Sequence, residues 1–162
     1  MIHARLLTAV LVLLLSVGCA SAKLTVLQPL PDRQDQLRVH VAASPQARIN
    51  ERDIGSFEQI LTNRLASRGF RVEPGSGEGV RAVDGTVEHY EPGSRTLRWF
   101  FGWLGIGRGS VDSSWTVLDA SGARIGACRI EGRQSMGVFG GHFDETLQKA
   151  ADRLAEFLRA QP

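Results

Sequence analysis

Reactive side chains are scarce in this chain of 162 residues, which has two cysteines, four histidines, one tyrosine and two methionines. Two cysteines exclude a disulfide framework, and no CxxC pair offers a zinc or redox site. The histidines, at 3, 40, 89 and 142, are scattered singly, so the HExxH helix of a metalloprotease is missing. No serine stands in GxSxG, which removes the nucleophile elbow of an α/β-hydrolase. The glycine-rich stretch at 74–79 lacks the Lys-Ser/Thr ending of a P-loop. Charge of one sign is lacking too. The net charge of +2 falls to +1 when Arg5 leaves with the leader described below (18 Lys and Arg against 17 Asp and Glu). Nucleic-acid binding needs a basic stripe that releases counterions, and none exists here. These absences predict a protein that is not an enzyme, with no catalytic residue, no metal ligand, no cofactor and no nucleic-acid partner.

What is present begins with a leader. Arg5 supplies a short positive region, Leu6 to Leu15 is apolar apart from Thr8, and small residues follow at Ser16, Gly18, Ala20 and Ala22. This is the pattern of an export signal over residues 1–18. An apolar run of about ten residues is half of what a membrane-spanning helix needs. The stretch Leu15-Ser16-Val17-Gly18-Cys19 fits a permissive lipobox, with Ser16 standing where Leu is usual. It predicts lipid attachment at Cys19 and, through several acyl chains, stable membrane anchoring. Ala20 rather than Asp after the cysteine predicts the outer membrane, facing the periplasm. The competing reading is ordinary cleavage after Ala22, because Ala20-Ser21-Ala22 is an A-x-A site.

Residues 19–36 read as a lipidated N-terminus and tether, with Pro29 and Pro31 and a polar DRQDQ ending. Within it, Leu24-Thr25-Val26-Leu27 has the composition to pair as an edge strand instead. A single domain is expected over 37–162. Leu37 to Ala42 alternates apolar and polar, which predicts a strand with His40 on its polar face. Asn50 offers an N-cap, and Ile54, Phe57, Leu61 and Leu65 make one apolar stripe with Ile60 beside it, up to a C-capping Gly69. Strands are predicted over 70–73, 83–90, 111–118 and 123–131. Gly85 marks a bulge or close packing against the helix, and Asp119-Ala120-Ser121-Gly122 marks a hairpin turn with Gly122 at positive φ. A last helix from 142 to 159 carries Phe143, Leu147, Ala150, Ala151, Leu154, Phe157 and Leu158 on one stripe. The sum is an α+β, two-layer domain: a mostly antiparallel sheet of about five strands packed by two helices.

Between two of these strands lies RTLRWFFGWLGIGRGS, which holds four of the chain's eleven aromatic residues at Trp99, Phe100, Phe101 and Trp103. An extended segment cannot turn all four to one side. Either they face a partner, or the interleaved glycines let the insert fold flat and cap the core; exposed apolar area of that size is costly unless used. Phe139, in the glycine-rich stretch 132–141, borders the same hairpin. Trp99, Phe100, Phe101, Trp103 and Phe139 are therefore the candidate interaction surface. His89 and Glu91 share a strand face, but a polar outer face explains them better than metal binding. Cys128, left without a partner by lipidation of Cys19, reads as an inert strand thiol.

The run from Val83 to Gly126 resembles the domain-of-unknown-function (DUF) 4410 family of bacterial envelope proteins. Asp84-Gly85, Pro92-Gly93-Ser94, Arg98, the glycines at 102, 105, 107 and 109, and the turn from Leu118 to Gly122 carry the likeness. The flanking helices fit the same layout, so it extends over most of 37–159. The resemblance implies a lipoprotein without assigned catalytic residues. The expected protein is thus a cell-envelope lipoprotein, held to the membrane by its lipid and acting as a binding or assembly module, with an envelope protein as partner. The alternative is a soluble periplasmic domain that binds a small apolar ligand.

Overall fold

The computed structural model of the chain describes residues 20–33, 35–73, 80–94, 109–134 and 143–159. In order these form β1 (Ser21–Gln28), β2 (Gln36–Ala43), α1 (Glu51–Ser67), β3 (Arg71–Val72), β4 (Arg81–Glu91), β5 (Ser110–Leu118), β6 (Arg124–Arg133) and α2 (Phe143–Arg159). The strands make one sheet in the order β1-β6-β5-β4-β2-β3. From β1 to β4 the neighbours are antiparallel, whereas β2 runs parallel to both β4 and β3. The fold is α+β, with six strands and two helices among the described residues.

Alternation along β5 sets the two faces. Val111, Ser113, Trp115 and Val117 are buried, and the residues between them are half-exposed. Both helices lie on the buried face. Helix α1 starts where Asn50 accepts a hydrogen bond from the Asp53 backbone N–H at 2.9 Å. It ends in a Schellman turn, with Gly69 N–H donating to Ala66 O, Phe70 N–H to Leu65 O, and Gly69 at φ +88°. Phe57, Leu61 and Leu65 are its fully buried stripe, each side chain contributing about 1.5–3 kcal/mol by burial. Helix α2 buries Leu147, Ala150, Ala151, Leu154, Phe157 and Leu158. The helices are clamped together where Arg64 makes two hydrogen bonds to Asp152 and Arg68 adds a third.

Trp115 is the largest side chain of the core and fixes the centre of the sheet. Its cross-strand partner is Gly85, where a β-carbon would lie 2.4 Å from the indole ring. Gly85 thus serves close packing against Trp115 of β5 rather than against the helix, and the bulge of β4 falls not at Gly85 but between Val87 and His89. Phe57 meets the indole edge-on at 6.4 Å, and the indole N–H donates to Ser113 Oγ at 2.9 Å.

The tether expected over residues 19–36 is corrected by the structure. Ser21 to Gln28 pairs with β6 along its length. Leu30 is buried against Gly126 and Phe157, and Asp32 takes a two-bond ion pair from Arg81. The domain therefore extends at least to Ser21. The two prolines frame a side chain that plugs the core, which is why the segment looked like a spacer.

Candidate functional site at one end of the sheet

Four strand ends meet in one row. Ser21 is opposite Arg133, Arg133 opposite Ser110, and Ser110 opposite Glu91. Just beyond the row, Gln134 is buried and bonded twice to Gly109: its N–H donates to Gly109 O, and its Oε1 accepts the Gly109 N–H. A β-carbon at Gly109 would meet the Phe143 ring at 2.4 Å, so glycine is required for the helix to begin where it does. Phe143 in turn packs edge-on to Tyr90 at 5.3 Å. Burial, then the nearby charges of Asp53 and Asp144, push the Tyr90 hydroxyl up to about 12. Those two acids lie in the first turns of α1 and α2, so both helices start at this end.

The outer face of the sheet beside this end is charged and internally paired. Arg133 pairs with Asp112, and Glu88 takes both Arg129 and the Ser114 hydroxyl. His89 Nε2 lies 3.9 Å from Glu91 Oε2, both side chains exposed. Among the described residues no three His, Cys, Asp or Glu side chains come together as a metal site. Cys128 is fully buried, and burial pushes its thiol up to about 12, the opposite of what a nucleophile needs. No described helix is long and apolar enough to cross a membrane.

Cys19, Trp99, Phe100, Phe101, Trp103 and Phe139 lie outside the described residues. Their flanks do not. The aromatic insert leaves after Ser94 and returns at Gly109, the glycine-rich stretch leaves after Gln134 and returns at Phe143, and residue 19 precedes Ala20. The Gly109–Gln134 bonds and the row from Ser21 to Glu91 bring all these flanks to one end. Sequence reasoning missed the junction formed by Gly109, Gln134 and Phe143. Its only sequence signal was a glycine one residue before a strand.

No family model matches the chain, and neither does any curated protein. Solved structures do share its fold. The dodecameric PelC of Paraburkholderia phytofirmans, in two crystal forms, is 19% and 20% identical at a TM-score of 0.51, over 88% of this chain and 99% of PelC. The protein XCC0632 of Xanthomonas campestris, assigned to DUF330, is 9% identical at a TM-score of 0.49, over 79% of this chain and 84% of its own. The PelC likeness is one of fold alone, and the fold it defines is a two-layer α+β domain.

Proposed function

We propose that the chain is an exported lipoprotein of the cell envelope, anchored in the outer membrane through Cys19, that acts by binding and structural support rather than by catalysis. The observation that carries this reading is the start of β1. Cleavage before Cys19 leaves the strand whole. Cleavage after Ala22 would cut into it, removing two residues paired with Arg133 and Gly132 and a carbonyl that accepts the Arg153 side chain at 2.9 Å. The flanks of the aromatic insert converge on the end nearest residue 19, and that end is the proposed binding platform.

Assembly of copies is the form of structural support this reading favours. The PelC structures are dodecamers. Among the described residues β1 is an edge strand whose Val26 and Leu27 are 48% and 59% exposed, which suits pairing with a second copy.

Intact mass of the protein taken from membranes, beside a Cys19→Ala variant, tests the anchor. Acyl mass at Cys19, lost in the variant, is expected. A bare chain starting at Lys23 would overturn the anchor and leave the soluble, ligand-binding alternative.

A further inference from the structure

We propose that the sheet end carrying Ser21, Glu91, Ser110 and Arg133 faces the lipid headgroups, with the Asp119–Gly122 turn at the opposite end of the sheet. The proposal rests on the lipoprotein reading and adds an orientation to it. Its basis is the length of chain left between anchor and fold. Ser21 already pairs with Arg133, its hydroxyl also donates to Arg133 O, and the Arg153 side chain holds the carbonyl of Ala22. One residue, Ala20, separates this strand from position 19. Consecutive Cα atoms are about 3.8 Å apart, so an acylated residue 19 lies within about 8 Å of Ser21. A tether of some eighteen residues would let the domain tumble; one residue fixes which end faces the bilayer.

The strands carry that orientation outward. β5 runs from Ser110, in the proximal row, to Leu118, a rise of about 27 Å at 3.3–3.4 Å per residue. The turn that follows is held by Asp119, whose carboxylate accepts the Ser121 and Ala123 N–H groups. Its place is therefore fixed relative to the proximal row.

The test uses the full-length acylated protein in phosphatidylcholine vesicles, labelled with a fluorophore at Glu91→Cys or at Ala120→Cys. Cys128 is buried and stays unlabelled. The quencher is a nitroxide on the lipid headgroup. Quenching at position 91 is expected to exceed that at 120 several-fold, and a twelve-residue Gly/Ser spacer inserted between Ala20 and Ser21 should erase the difference. Intact mass is read on the same samples. Equal quenching at the two positions on an acylated chain overturns the seating while leaving the anchor in place. A chain without acyl mass at Cys19 overturns both.

Discussion

At Gly85 the sheet leaves no room for a β-carbon, because the six-membered ring of Trp115 fills the space above it. Gly85→Ala should cost about 1–3 kcal/mol in urea unfolding. Shrinking the ring with Trp115→Phe should return part of that loss, so the double variant is more stable than the two single effects predict. Asp152 is the second residue on which the fold leans. Its carboxylate is 12% exposed, and the hydrogen bond from Arg64, followed by the charges of Arg64 and Arg68, holds it below its ordinary value of 3.8. A lowered folded pKa means that the clamp's stabilisation is complete above the ordinary value and vanishes as pH falls through the folded one. Asp152→Asn should therefore cost about 1–2 kcal/mol at neutral pH, the half-exposed arginines being screened by water. The gap to the unmutated protein should close below about pH 4, as read from denaturant midpoints across the acid range. Cys128 makes a simpler prediction. In a chain begun at Ala20 it is the sole cysteine, and a thiol reagent should leave the native protein unmodified yet react fully in urea.

Elements were legible in the sequence to the degree that their signal is local. Asn50, Gly69 and the stripe from Phe57 to Leu65 mark α1, and each acts within its own turn of chain. The Asp119–Gly122 turn was legible for the same reason: Gly122 sits at φ +83° and Asp119 caps the backbone beside it. Strand β1 was legible only as a possibility. SAKLTVLQ alternates weakly, and what makes it a strand is the free edge of β6, about a hundred residues away in the chain. The candidate site was legible as composition alone, since the aromatic and glycine residues that suggest it carry no pairing pattern. What the sequence could not give is that the flanks of the insert, of the glycine-rich stretch and of residue 19 share one end, because that depends on register. Strand β1 also carries a prediction. A chain begun at Lys23 loses two ladder pairs and the bond from Arg153, and should unfold about 1–2 kcal/mol more easily than one begun at Ala20, on hydrogen bonds of ordinary strength. Equal melting of the two chains would remove the structural argument for processing before Cys19.

Over the whole molecule the two edges of the sheet are unequal. At one edge, β3 covers only the first residues of β2, and farther along Glu58 of α1 accepts the Val41 backbone N–H at 3.0 Å, so a carboxylate occupies that edge donor. At the other edge, β1 presents Val26 and Leu27. If copies assemble through β1, Leu27→Asp should lower the native mass measured by light scattering while leaving the melting temperature within a degree or two, since Leu27 is the extra residue at a bulge and exposed. An unchanged mass would exclude β1 as the contact. The position of β1 beside β6 also has a consequence in time. Ser21 and Arg133 are 112 residues apart, so the first described strand to be made has its partner in the last one. While the hairpin of β5 and β6 is still being made, β1 has nothing to pair with, and Ala22 and Leu24, which pack against the finished core, wait in water. Closure of the sheet must therefore be a late event, and refolding of the whole domain should be slower than formation of its hairpin.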